Sequence, residues 1–128
     1  MIYVGMTKNR DHSLELLLDL DGLNFAQESG YWIKYEVSTV EKTAVRLHGI
    51  KYSLTLHDPQ GKRVFGIDNA HRPKKRRGPA GRSTRPKAAD HMHRGRREYT
   101  YEFEDAETLL VDFDKGVNAA LKRHGVKI

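Results

Sequence analysis

The chain contains no cysteine and lacks several other features that define common protein classes. Without cysteine it cannot form a disulfide scaffold, a thiolate zinc site, an iron–sulfur cluster or a cysteine nucleophile. No apolar run approaches the ~18 residues of a membrane span, and residues 1–10 lack the basic start and apolar run of a secretory signal. The glycine-rich nucleotide-binding patterns and the G-x-S-x-G hydrolase pattern are also missing. These absences predict a cytoplasmic protein with no membrane segment.

Acidic residues are scarce in one part of the chain only. Residues 72–97 contain 11 lysines and arginines and one acid, Asp90, whereas the remainder contains 12 basic and 16 acidic residues. The formal net charge of +6 therefore comes from a single segment. Such a segment attracts polyanions, so nucleic acid or an acidic protein is a better partner than a neutral small molecule.

The length of 128 residues and the 38% hydrophobic content predict one globular domain, residues 1–128. Residues 31–37, 50–57 and 98–103 alternate between apolar and polar side chains, which predicts half-buried strands. A turn at residues 58–61 joins the second run to residues 62–68 in a predicted antiparallel hairpin. Residues 13–20 are too rich in leucine for their period to decide; their length and the Asp21-Gly22 turn favour a strand, and a helix remains the alternative.

A C-terminal helix follows Asp105, which is placed to cap it, with Glu107 in the first turn and Gly125 just beyond the last. Its apolar stripe comprises Leu109, Leu110, Phe113, Val117, Ala120 and Leu121. The predicted fold is α+β: an antiparallel meander of four to five strands with this one helix packed on one face. A long basic loop, residues 71–97, is predicted between the last two strands because residues 70–95 are rich in proline, glycine and charge.

Two polar clusters flank the basic loop. Asp68, Asn69 and His71 end the predicted hairpin, and Asp90, His91 and His93 precede the run that begins at Glu98. If the two strands are neighbours, the clusters meet at one end of the sheet. Histidines can then exchange protons in RNA cleavage while arginines stabilise the charge that builds on phosphorus.

Other interpretations of the same residues remain open. His91 and His93 with Asp68 or Asp90 could bind a divalent metal. Alternatively, Asp68 and Asn69 cap a turn, His71 is an exposed loop residue, and the other histidines hydrogen-bond the backbone. Tyr99, Tyr101 and Phe103 could stack bases, but their alternation favours a place in the core.

The basic residues could contact phosphate groups, or they could form a solvated tract that binds nothing. The candidate nucleic-acid-binding residues are Lys74, Lys75, Arg76, Arg77, Arg82, Arg94, Arg96 and Arg97.

The order of these motifs resembles the TumE family of toxins from toxin–antitoxin systems. The resemblance covers residues 50–120 and rests on the D-N motif at Asp68, the D-H-x-H motif at Asp90, and the Y-x-F-x-x-x-x-x-L-L-x-D-F run that begins at Tyr101. The stretch 74–87 between the first two motifs is longer than is common in the family. The resemblance implies a growth-inhibiting toxin that is neutralised by a partner protein, typically a helix-turn-helix antitoxin.

The resulting hypothesis is a toxin that binds RNA through the basic loop and cleaves it without a metal or other cofactor. His91 and His93 are the candidate acid and base, and Asp68 or Asp90 would orient a histidine. His71 is a further candidate, and Arg94 and Arg96 would contact the phosphate. The competing hypothesis is a non-catalytic growth inhibitor that occupies nucleic acid or an acidic protein surface. The sequence leaves open whether the protein is a monomer or a homodimer.

Overall fold

A computed structural model describes residues 9–42, 48–69 and 90–126, with side chains from residue 13 onward. Its elements are α1 (Asn9–Asp19), β1 (Asn24–Ala26), β2 (Trp32–Thr39), β3 (Ile50–His57), β4 (Arg63–Asp68), β5 (His91–Arg94), β6 (Arg97–Thr100) and α2 (Ala106–Arg123). The strands form one antiparallel sheet in the order β1 to β6. The α+β class and the meander are thus confirmed, but the described sheet has six strands rather than four to five.

The hairpin of β3 and β4 is confirmed, and the turn chemistry explains its tight connection. Asp58 accepts hydrogen bonds from the backbone N–H groups of Gln60 and Lys62 through Oδ1, both at 2.9 Å. An aspartate that bonds to backbone groups two residues on stabilises a turn of this kind. A β-bulge between Leu56 and His57 shifts the register near this turn, after which Ser53 pairs with Asp68 at the far end of the hairpin.

Residues 13–20 were predicted as a strand, and this prediction is wrong because they lie mostly in α1. The segment contains five leucines and no β-branched residue, and leucine and glutamate favour helix. Leu14, Leu17 and Leu18 have helical spacing; Leu17 is fully buried, and the other two pack against the core. Leu16 between them is exposed, so this leucine-rich run is a helix that buries only one side.

The predicted strand at residues 98–103 and the predicted basic loop at residues 71–97 also need correction. Residues 91–94 form β5, residues 97–100 form β6, and the chain is irregular from residue 101 to 105. Residues 91–94 and 97, which the predicted loop included, therefore belong to strands, and the last two strands are joined by a tight turn. The predicted loop residues 71–89 lie outside the described residues. Gly95 and Arg96 make the two-residue turn of the β5–β6 hairpin. Gly95 has a φ of 58°, which favours glycine at the first position of such a turn.

The C-terminal helix α2 is confirmed. Asp105 caps it by accepting a hydrogen bond from the Thr108 N–H at 2.7 Å, and Gly125 has a φ of 76° just beyond its end. The Phe113 ring lies 5.8 Å from the Tyr35 ring and 5.9 Å from the Phe65 ring, measured between centroids. These contacts join α2 to β2 and β4, and α1 contacts both α2 and β2. Neither helix in the described part of the chain has the length and apolar character needed to cross a membrane.

Gly116 brings α2 unusually close to the sheet. A Cβ atom at this position would overlap the ring of Phe65, which is itself fully buried. The absence of a side chain therefore sets the distance between helix and sheet at this point.

The sheet has two chemically different faces. The face that packs against α1 and α2, here called the helix face, carries Tyr35, Leu54, Phe65 and Ile67. Because side chains alternate along a strand, the residues between them point to the other face. This polar face carries Lys34, Glu36, Ser53, Thr55, Asp68, His91, His93 and Glu98.

Candidate active site on the polar face

The pairing of β4 with β5 brings the two predicted polar clusters together. Asp68 pairs with His91 across these strands, and Gly66 pairs with His93. The two histidines are two residues apart on one strand, so both project onto the polar face beside Asp68. Their ring centroids are 6.4 Å apart. The predicted convergence of the motifs at Asp68 and Asp90 is therefore found, although the histidines lie within a strand and not before one.

Asp68 and His93 form the centre of the site. His93 Nε2 lies 3.0 Å from Asp68 Oδ2, and the two residues are only 7% and 2% exposed. Arg63 Nη1 lies 4.0 Å from the same carboxylate oxygen. Within the described residues, neither Asp68 Oδ1 nor His93 Nε2 has a hydrogen-bond partner. Buried polar atoms are nearly always paired in native proteins, so two such atoms on adjoining buried residues mark this site as unusual.

Sequence reasoning missed Glu98, which lies beside both histidines. Its carboxylate oxygens are 3.6 Å from His91 Nδ1 and 3.7 Å from His93 Nδ1. Glu98 pairs with His93 across the β5–β6 hairpin. Its side chain is largely exposed, unlike that of Asp68. The glycine turn at Gly95 was the sequence signal that could have revealed this hairpin and hence Glu98.

The pKa of His93 lies below the ordinary histidine value. Burial is the main cause because it disfavours the charged ring, and the guanidinium of Arg63 acts in the same direction. The carboxylates of Asp68 and Glu98 oppose this shift without reversing it. His93 is consequently held neutral near pH 7, the form in which an imidazole can accept a proton.

Asp90, the other predicted orienting carboxylate, lies away from His93. Its Oδ2 accepts a hydrogen bond of 2.6 Å from the hydroxyl of Tyr52, a residue of β3. Burial raises the pKa of Asp90 above its ordinary value, partly offset by the bond from Tyr52 and by the charges of His48 and His91. The structure thus associates Asp68 with His93 and Asp90 with Tyr52.

Asn69 connects β4 to the neighbouring strand instead of capping a turn. Its side chain accepts a hydrogen bond from the Tyr52 N–H at 2.8 Å and donates one to the Ile50 carbonyl at 2.9 Å. Asn69 is 4% exposed. The asparagine of the D-N motif therefore aligns the strand that carries Asp68.

The basic residues divide into two groups. Arg94 and Arg97 pair with each other across the β5–β6 hairpin and belong to the helix face, opposite the histidines. Arg96 lies in the turn and is exposed. Tyr101 is buried and Phe103 packs against the core as predicted, but Tyr99 is 41% exposed beside these arginines.

The remaining candidates lie outside the described residues. They are His71, Lys74, Lys75, Arg76, Arg77 and Arg82.

A cavity of about 390 Å³ opens beside Asp68. Ser53, Arg63, Glu36 and Lys51 also line it. Its lining therefore offers hydroxyl, cationic and carboxylate groups next to Asp68. As for the alternative of a metal site, no three His, Asp or Glu side chains of the described residues are grouped so that they could hold a metal ion.

Comparison with known proteins gives one match. No curated protein and no solved structure is significantly similar to the chain. A family model described as Toxin TumE matches residues 21–121. This range begins just before β1 and includes every strand, the Asp68–His93 pair and most of α2. The resemblance inferred from the motifs is thereby confirmed, and the chain belongs to the TumE family of toxins.

Proposed function

We propose that this toxin is an endoribonuclease that acts in the cytoplasm and uses His93 as a metal-independent general base. The observation that carries the proposal is the pair of Asp68 and His93, buried at 3.0 Å, with a histidine whose pKa is lowered. A neutral, oriented imidazole next to a carboxylate is the arrangement that general-base catalysis requires.

The position of Asp68 indicates which nitrogen of His93 would react. Nε2 faces Asp68 Oδ2 at 3.0 Å without forming an aligned hydrogen bond, and such bonds often tighten only when substrate binds. If Nε2 carries the hydrogen and donates it to Asp68 in the substrate complex, Nδ1 is left with the free lone pair. Nδ1 is on the side of Glu98, whose side chain is 57% exposed and can make way for a substrate. We therefore assign proton abstraction to Nδ1 and orientation of the ring to Asp68.

The chemical step would be attack of a ribose 2′-oxygen on the adjacent phosphorus. His93 takes the 2′-hydroxyl proton, the P–O5′ bond breaks, and His91 protonates the leaving 5′-oxygen. The products are a 2′,3′-cyclic phosphate and a 5′-hydroxyl end, so atoms and electrons balance without a co-reactant. Arg63 is the described cation nearest to Asp68 and would stabilise the charge on the phosphorane in place of Arg94.

A toxin family implies an antitoxin partner. We propose a helix-turn-helix antitoxin that binds the toxin and blocks access of RNA to the polar face. The mechanism requires one copy of the site and is compatible with a monomer or a homodimer. The basic loop would contribute to RNA binding through its charge.

Induced expression in a bacterial culture tests the catalytic proposal. Wild type should arrest growth and fragment total RNA, whereas the His91→Ala/His93→Ala variant should do neither. Because His93 is buried, the milder His93→Gln substitution is tested as well, with circular dichroism to show that each variant folds. His48→Ala, an exposed histidine outside the site, is the matched control and should behave as wild type. Wild-type toxicity in the folded double variant would contradict the proposal.

A second candidate is a growth inhibitor that binds nucleic acid without cleaving it. It is favoured by the low exposure of His93 and by the separation of Arg94 and Arg97 from the histidines. In that case replacing the arginines would abolish toxicity, histidine variants would remain toxic, and total RNA would stay intact.

A further inference from the structure

A basic pocket lies on the helix face, at the edge of the sheet opposite the histidines. It has a volume of about 320 Å³ and is formed between the β5–β6 hairpin and the C-terminal end of α2. Arg94 and Arg97 line it from the hairpin, and Arg123 and His124 line it from the helix end. We call it the arginine pocket. Arg123 and His124 come directly before Gly125 in the sequence, and this position gives no sign that they meet the hairpin.

The charges of the arginine pocket are of one sign. Three guanidinium groups contribute to its lining, and no acidic side chain among the described residues does. A positive residue at a helix C-terminus is stabilised by the helix dipole, which accounts for Arg123 alone. It does not account for two further arginines brought into the same concave site, where like charges repel each other. An anionic ligand would remove this repulsion.

An aromatic ring accompanies the arginines. Tyr99 lines the pocket, is 41% exposed, and has the guanidinium carbon of Arg94 at 5.5 Å from its ring centroid. Proteins that bind single-stranded nucleic acid combine cations for the phosphates with exposed aromatic rings for the bases. An acidic peptide would use the arginines but would have no need of an open ring, so the pocket fits RNA better.

We propose that the arginine pocket binds a phosphate of single-stranded RNA while a neighbouring base stacks on Tyr99. This inference rests on the proposed ribonuclease function and adds a second contact region to it. Among the described residues β6 is the outermost strand on this side of the sheet, and all four of its residues are exposed there. An RNA strand can therefore pass around this edge from the arginine pocket to Glu98 and the histidines on the polar face.

Fluorescence anisotropy tests the proposal with a labelled RNA of about ten nucleotides. Its 2′-hydroxyls are methylated, so it cannot be cleaved by 2′-oxygen attack. Arg123→Ala should weaken binding about 10-fold and reduce the slope of log affinity against log salt by about 0.7. Lys122→Ala removes an equal charge from the neighbouring exposed position outside the pocket and should weaken binding less than about 2-fold. Tyr99→Ala should also weaken binding, whereas Tyr99→Phe should not.

The outcomes separate this proposal from the proposed function. Equal effects of Arg123→Ala and Lys122→Ala would overturn the arginine pocket and leave the catalytic proposal standing. Dependence on Arg123, together with undiminished toxicity of the folded histidine variants, would support the pocket and overturn cleavage alone. A wild-type protein that binds no RNA overturns both. If Arg123→Ala weakens binding of polyglutamate but not of RNA, the pocket belongs to an acidic protein partner and the proposal is wrong.

Discussion

His93 Nε2 lies 3.0 Å from Asp68 Oδ2, although the two residues belong to different strands and are 25 positions apart in the sequence. The antiparallel pairing of β4 and β5 is sufficient to bring them together. Both side chains are almost fully buried, and each retains an atom without a hydrogen-bond partner among the described residues. Burying such a pair costs desolvation free energy, and hydrophobic residues of similar volume often stabilise a protein at least as well. A role in catalysis therefore accounts for the pair better than a role in stability.

Asp68→Asn tests whether the carboxylate orients His93. The amide is nearly the same size but cannot hold the Nε2 hydrogen in the same way, so the reactive tautomer of His93 would be lost. We expect RNA cleavage to fall by about 10²-fold, at the lower end of what acid–base catalysis contributes. Cleavage of a labelled RNA by purified protein measures the effect.

Asp114→Asn is the matched control because it makes the same change on the exposed surface of α2. It should leave the cleavage rate within about 2-fold of wild type. A folded Asp68→Asn protein with an equally small change would show that Asp68 does not orient the base.

The lowered pKa of His93 predicts a pH-dependent stability. The folded protein binds a proton at His93 less readily than the unfolded chain does, whose histidines titrate near a pKa of about 6.5. As the pH falls below this value, the unfolded state takes up more protons and the free energy of unfolding decreases. Above it, both states hold His93 neutral and this contribution is absent.

Urea unfolding between about pH 8 and pH 5 measures this dependence. His93→Gln cannot titrate at this position, so its stability should decrease less steeply toward acid than that of wild type. His48→Gln controls for the removal of a histidine as such. If wild type and His93→Gln change in parallel, the burial of a neutral His93 is not responsible.

The elements that the sequence predicted well are those with a clear period. The strand pattern of residues 50–57 matches β3, and the stripe from Leu109 to Leu121 forms the buried side of α2. In both cases one side of the element packs against the core, so burial itself imposes the alternation. The meeting of Asp68 with His93 could also be predicted because strands that follow one another in the sequence are usually neighbours in a sheet.

Other features of the structure could not be predicted from the pattern of apolar residues. The leucine run in α1 has no decisive period, and only its leucine and glutamate content and the absence of β-branched residues favoured the helix. β5 has just four residues, too few for a reliable period, and its hairpin turn lies among arginines that suggested a loop. Adjacent residues of a strand point to opposite faces of the sheet. Without knowing that His93 and Arg94 belong to one strand, the sequence could not predict that their side chains lie on different faces.

The hydrogen bond between Tyr52 and Asp90 predicts a stability effect. Tyr52 is 1% exposed, and its hydroxyl donates to Asp90 at 2.6 Å, which ties β3 to the start of β5. Tyr52→Phe removes the donor and leaves a partly buried carboxylate without it, so we expect a loss of about 1–3 kcal/mol in the free energy of unfolding. Chemical denaturation measures it.

Tyr99→Phe removes the same hydroxyl from an exposed position on β6 and serves as the control. Its stability should stay within about 0.5 kcal/mol of wild type. Similar values for the two variants would mean that the bond to Asp90 contributes nothing beyond ordinary solvation of the hydroxyl.

In the Gly116→Ala variant, helix propensity and core packing should change the free energy of unfolding in opposite directions. In the interior of a helix, alanine is favoured over glycine by about 1 kcal/mol, so an exposed site would gain stability from this change. At Gly116, however, the new methyl group would overlap the ring of Phe65, which is fully buried between α2 and the sheet. The Phe65 ring also stacks on Phe113, with 5.9 Å between the centroids, which limits how far the ring can move. Overpacking of this kind costs about 1–3 kcal/mol, so we expect a net loss of stability.

Asn118→Ala is the control because residue 118 is exposed in the same helix, where only propensity acts. It should raise the free energy of unfolding by a few tenths of a kcal/mol, roughly the difference in helix propensity. The double variant Gly116→Ala/Phe65→Leu provides the decisive comparison, since it removes the ring that meets the new methyl group. If packing against Phe65 is the cause, Gly116→Ala will cost clearly less in the Phe65→Leu background than in wild type. An equal cost in both backgrounds would place the origin of the effect elsewhere in α2.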